Sequence, residues 1–105
     1  MLNPMKPEFD DRIVQLADLF RLLGDPTRLR IVLACVEQPV AVGAIAEVLG
    51  LSASLVSHHL RLLRAARVVR ADRQGKQVFY LAADDHISDM LNDLLEHVAE
   101  PHHEL

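Results

Sequence analysis

A chain of 105 residues has room for one small domain. Half of it is apolar, so it can fold, but a domain this small buries its surface inefficiently, and a core shared between two copies would help. The net charge of −4 argues against a uniformly basic nucleic-acid binder, and a lone cysteine, Cys35, excludes an internal disulfide framework.

Residues 1–7 hold two prolines and read as a loose arm. From about Glu8 to Leu23, Ile13, Leu16, Ala17, Phe20 and Leu23 recur at helical spacing. Gly24-Asp25-Pro26 then supplies a helix stop, an N-cap and a residue tolerated at the first helical position. A second helix therefore starts here and runs to about Glu37, with Pro39 forbidding its continuation. Cys35 lies inside its apolar run and reads as a small buried hydrophobe. Val42 to Leu49 predicts a short third helix stopped by Gly50, and Ser52 can cap a fourth from Ala53 to about Ala65. Two short helices joined by Gly50-Leu51-Ser52 have the outline of a helix-turn-helix.

The fourth helix sorts its residues by face. Leu55, Val56, Leu60 and Leu63 fall on one side with His59, which reads as a hydrogen-bonded core histidine. Ser54, Ser57, His58 and Arg61 fall on the other, at i, i+3, i+4 and i+7. Such a face can meet base edges and phosphates in a major groove; taken alone it could equally be a solvated surface. Next, Arg67 to Ala71 and Gln77 to Leu81 are β-rich, joined by the polar, glycine-containing stretch Asp72 to Lys76. A hairpin directly after a helix-turn-helix is a wing, and Arg73 and Lys76 at its tip would meet phosphate or a minor groove. The charge distribution agrees. Arg61, Arg64, Arg67, Arg70, Arg73 and Lys76 are six of the eleven basic residues, and only Asp72 opposes them within that stretch, so an acidic body carries a local basic face. A final helix, Asp85 to Ala99, is stopped by Pro101, and residues 101–105 read as a tail.

The expected fold is thus one mainly α domain over residues 1–105: a winged helix-turn-helix of about five helices plus a two-stranded wing, dimerising through its terminal helices. No apolar run approaches the ~20 residues of a membrane span, and Met1 to Asp11 is polar without an apolar signal region. The expectation is a soluble, cytoplasmic protein with no membrane partner.

The stretches LFRLLGDPTRLRIVLAC and LSASLVSHHLRLLRAARVVRADRQGKQVFYLA resemble the ArsR/SmtB family of small winged-helix repressors, a likeness that covers about residues 13–100. The resemblance implies a homodimer that sits on double-stranded operator DNA and leaves on sensing a metal ion or another signal. It also implies that Ser54, Ser57, His58 and Arg61 lie on the DNA-reading helix. One metal site common in the family uses Cys-x-Cys near the third helix. Here Ala41 and Gly43 stand at those positions, and N-terminal cysteine ligands are absent too. Thiolate-seeking ions lose their usual ligands.

The last helix offers another site. Ile87, Met90, Leu91, Leu94, Leu95 and Val98 make a wide apolar stripe that needs a partner. His86 and His97 point almost the same way but are separated by about 16 Å of helix rise, and zinc–nitrogen bonds are only about 2 Å long. Two antiparallel copies remove the difficulty. Setting His86 beside His97 of a second copy, or Asp84 beside its Glu100, puts the two-fold axis near residues 91 and 92 in either case. One crossing then builds two identical sites, each taking Asp84 and His86 from one chain and His97 and Glu100 from the other. Helix-end electrostatics alone could explain the acids and His97, but not a register that agrees for two pairs. The ArsR/SmtB resemblance adds a known pattern, Asp-x-His followed by His-x-x-His or His-x-x-Glu in the last helix, which these four residues match. Two imidazoles and two carboxylates suit zinc or cobalt(II); His102 or His103 could add ligands and favour nickel. The reading is a metal-responsive repressor, released from DNA by metal. Its rivals are a family member answering a redox or protein signal, and a metal site that is only structural. No open coordination position, phosphate loop or nucleophile–base pair stands out, so no enzyme is expected.

Overall fold

The computed structural model describes residues 10–101. The expected N-terminal arm, His102 and His103 lie outside the described residues. Helix α1 spans Asp11–Leu23, and its N-cap Asp10 accepts the Arg12 backbone N–H at 2.9 Å. The Arg12 side chain also hydrogen-bonds Asp10 and holds its carboxyl below the usual carboxylate range. Helix α2 spans Pro26–Glu37, with Asp25 capping the Arg28 N–H at 2.8 Å and Pro26 in the first turn. After strand β1, Val40–Ala41, come α3, Val42–Leu49, and α4, Ala53–Ala65. Strands β2, Val69–Gln74, and β3, Gln77–Ala82, form the wing, and α5 spans Asp85–Ala99.

The helix-turn-helix is made by two local devices. Gly50 adopts φ 66, which turns the chain sharply after α3 while the Leu51 N–H reaches back to the Ala46 carbonyl at 3.0 Å. Two residues later the Ser52 hydroxyl accepts the Leu55 N–H at 3.1 Å and starts α4. Helix α4 ends with the same hydrogen-bond pattern as α3: the Val68 N–H reaches the Leu63 carbonyl at 2.9 Å, and the Arg67 N–H reaches Arg64 at 3.0 Å. Here, however, the left-handed position is held by an arginine, Arg67, at φ 59. Leu63 and Val68, which flank this turn, are both fully buried.

Ile31, Val32 and Cys35 of α2, Ile45 of α3, and Val56, Leu60 and Leu63 of α4 form the centre of the core. Val68 and Val69 close it on the wing side, and Ile87 and Leu91 bring in α5. Leu60 is wholly enclosed, so truncating it to alanine would cost about 2–5 kcal/mol.

Three expectations need adjustment. The sheet has three antiparallel strands in the order β1-β3-β2, because Val40 and Ala41 pair with Tyr80 and Phe79 on the open edge of the hairpin. The wing turn is only Gly75-Lys76, since Gln74 pairs with Gln77 and Asp72 to Gln74 belong to the strand; Gly75 at φ 65 supplies the positive φ that a two-residue hairpin turn requires. Leu55, expected on the core side of α4, is 40% exposed; it lies in the first turn, where its neighbours Ala53 and Ser54 are exposed as well. Among the described residues, no helix is long and apolar enough to cross a membrane.

Much of α1 and α5 is uncovered. Ile13, Leu16 and Phe20 of α1 and Leu94, Leu95 and Val98 of α5 are exposed, with Phe20 at 51% and Val98 at 80%. Phe20, Leu29, Leu33, Met90, Leu94 and Val98 line an apolar groove of about 390 Å³ between α1, α2 and α5.

Candidate nucleic-acid interface and metal-ligand helix

Burial of Val56, His59, Leu60 and Leu63 fixes the rotation of α4 about its axis. Ser54, His58 and Arg61 consequently point to solvent, with Ser57 half-buried at the edge of the same face. These four are brought together as their spacing requires. The turn carrying Lys76 stands at the far end of the hairpin, and Arg73 is exposed on β2. Arg73 folds back so that its Nε donates to the Gly75 carbonyl at 3.2 Å. All six cations of the basic series are exposed, and neither ion pair among the described residues involves any of them. They are therefore available to phosphate, the dominant source of nucleic-acid affinity.

One contact in this region was only half legible. His59 is 9% exposed, as a core histidine should be, and its Nδ1 accepts a hydrogen bond from Arg28 Nε at 3.3 Å. Burial, followed by the charge of Arg28, lowers the pKa of this imidazole and keeps it neutral. Nothing in local spacing identifies Arg28 as the partner, because the two lie 31 residues apart.

Asp84 is the N-cap of α5 and accepts the Ile87 N–H at 3.0 Å through Oδ1. Its other carboxylate oxygen is uncommitted by this bond. His86, exposed, follows in the first turn. His97 is in the last turn, and Glu100 is the C-cap, its backbone N–H bonded to the Glu96 and His97 carbonyls. The four candidate ligands thus form two pairs at opposite ends of one unbroken helix. Among the described residues no group of three or more His, Cys, Asp or Glu side chains within the chain can hold a metal ion. All four residues are open to solvent.

The family model of the bacterial regulatory protein, arsR family, matches residues 25–71, from the cap of α2 into the first strand of the wing. A transcriptional repressor SmtB homolog from Synechocystis is 38% identical over 86% of this chain and 68% of its own length. The chain belongs to the ArsR family. This family consists of transcriptional regulators, so the ArsR-family chain is not an enzyme. Its fold is shared by the cadmium metal-sensor CMTR from Mycobacterium tuberculosis, whose structure is 40% identical with a TM-score of 0.69, covering 86% of this chain and 93% of that one. A homodimeric winged helix-turn-helix DNA-binding domain from Mycobacterium bovis, of a possible ArsR-family transcriptional regulator, superposes with a TM-score of 0.77 at 26% identity, over 96% of this chain and all of that one.

Proposed function

We propose that this chain is a metal-responsive transcriptional repressor that binds operator DNA as a metal-free homodimer and is released when a divalent cation, zinc or cobalt(II), occupies intersubunit sites on α5. The observation that carries the reading is the division of donors into two half-sites flanking an uncovered apolar stripe. Leu94, Leu95 and Val98 call for a second helix, and an antiparallel copy of α5 would cover them while completing both sites. Asp84 and His86 of one chain, with His97 and Glu100 of the other, would then hold the cation. Two carboxylates balance its charge, and the imidazoles supply borderline ligands suited to zinc. When bound, the cation cross-links the ends of the dimer. The homodimeric relative and the metal-sensing relative both support this assignment without fixing the metal. Nickel would require further ligands, for which His102 and His103 are candidates.

On DNA, Ser54, Ser57, His58 and Arg61 would enter the major groove, with Arg73 and Lys76 of the wing on phosphates or the minor groove. Two reading helices would sit roughly 34 Å apart, one DNA turn. If cross-linked α5 helices fit that spacing poorly, metal lowers DNA affinity, and DNA lowers metal affinity by the same factor. A redox signal is disfavoured. Cys35 is buried in α2, and burial pushes its thiol up to about 12, so little reactive thiolate forms at neutral pH.

The test is a titration of operator DNA with and without zinc. Affinity should fall with zinc in the wild type and not in His97→Ala, which should bind DNA normally when metal-free. Equal affinities in both states, with tight zinc binding and a raised melting temperature, would leave the site purely structural.

A further inference from the structure

The side of α4 that faces away from DNA holds a polar contact that the proposed function does not use. Arg28, near the start of α2, donates from Nε to Nδ1 of His59 at 3.3 Å and from Nη1 to the Leu22 carbonyl at 3.1 Å. Its own backbone N–H is held by Asp25, the α2 cap, at 2.8 Å. One guanidinium therefore joins the last turn of α1, the first turn of α2 and the middle of α4. His59 is the sole buried polar side chain among the described residues, and every buried side-chain polar atom there is satisfied. Its sequence neighbour His58 points to the solvent face proposed to read DNA, with the two ring centres 5.7 Å apart.

We propose that Arg28 and His59 form a latch that positions the DNA-reading helix, and that the latch holds only while the His59 ring is neutral. The proposal rests on the DNA-binding reading above. An imidazole can accept at Nδ1 only when that nitrogen carries a lone pair; the proton of the neutral ring then sits on Nε2. A proton on Nδ1 removes the acceptor and sets a cation against the guanidinium. The charged and titratable groups facing the ring are Arg28 and Asp25 from α2 and His58 from α4 itself. Arg28 and His58 oppose a second positive charge, Asp25 favours it, and burial opposes it most. Acidification thus breaks the tie between α4 and the α1–α2 corner and loosens the pitch at which Ser54, His58 and Arg61 are presented.

The test uses metal-free protein in chelator, so that the α5 ligands do not report. The wild type first selects a duplex from a random-sequence pool at about pH 7.5, and binding is then followed by fluorescence anisotropy at about pH 7.5 and about pH 5.5, on either side of an ordinary histidine pKa. The wild type should lose affinity at the lower pH, by less than the roughly tenfold that one proton at an ordinary histidine pKa would give, because burial lowers that of His59. His59→Asn keeps an acceptor near the Nδ1 position and cannot titrate. It should bind within a few-fold of wild type at the higher pH and lose the acid-dependent fall. His59→Leu should bind weakly at both pH values with an unchanged salt slope. An acid-dependent fall retained in His59→Asn overturns the latch, and so does a wild-type affinity that does not fall. Failure of the wild type to enrich any duplex overturns the DNA-binding reading instead. Since His59→Asn supplies the deciding comparison, the latch remains testable even where His59→Leu does not fold.

Discussion

Arg67 stands where glycine is the favoured residue. It closes α4 with a left-handed φ of 59 and a pair of reach-back hydrogen bonds, the arrangement Gly50 provides after α3. For a residue with a Cβ the left-handed conformation costs roughly 1–2 kcal/mol. Arg67→Gly should relieve most of that cost and stabilise the fold by about 1 kcal/mol. Urea denaturation reads the shift as a higher midpoint with an unchanged slope, and a lower midpoint would mean that the arginine side chain contributes more than its backbone costs. Asp84 separates two roles in one side chain. Its Oδ1 caps α5, while the proposed site needs its charge. Asp84→Asn should keep the cap and leave the melting temperature nearly unchanged while weakening zinc binding; Asp84→Ala should weaken zinc binding and also cost about 1 kcal/mol. Calorimetry beside thermal melts separates the two outcomes. Equal zinc affinity in all three proteins would remove Asp84 from the ligand set.

Among the elements, α4 and the wing carry the DNA prediction. Arg61→Ala or Lys76→Ala should each weaken binding across sequences and lower the salt slope by about one, the signature of one lost phosphate contact. Salt titrations of affinity measure it, and an unchanged slope would place that cation off the phosphates. The helices were legible in the sequence because their ends are local. Asp25-Pro26 starts α2, Gly50 stops α3, Ser52 starts α4 and Asp84 caps α5, and each device acts within a few residues of itself. The faces of α4 were legible through periodicity, except at Leu55, which is exposed with the rest of the first turn. What escaped was non-local. The two-residue strand β1 has no pattern of its own and exists only because β3 offers it an edge. The Arg28–His59 bond closes across 31 residues and leaves no mark on spacing. The placing of Asp84 and His86 at one end of α5 and of His97 and Glu100 at the other was readable because it is a property of one helix; the proposed metal sites would need a second chain.

At the scale of the whole molecule, β3 connects the two proposed sites. It runs from the wing turn to Ala82, two residues before Asp84, and through β1 it is also fastened to the start of α3. The Ala83 N–H is tied to the Val68 carbonyl at 3.0 Å, so the junction between sheet and α5 is itself held. Six strand residues span about 20 Å. If movement of α5 reaches the wing through β3, the strand would act as a lever arm with its fulcrum at the entrance to α5. A pivot of about 10° there would sweep Lys76 through roughly 3–4 Å, longer than a hydrogen bond to phosphate can stretch. Spin labels at the two wing tips of a dimer should report that travel as a changed separation when zinc is added; an unmoved distance would take the strand out of the transmission. Control of a gene by a few ions would then rest on mechanical advantage, a small twist at a stiff hinge multiplied by the length of a single strand.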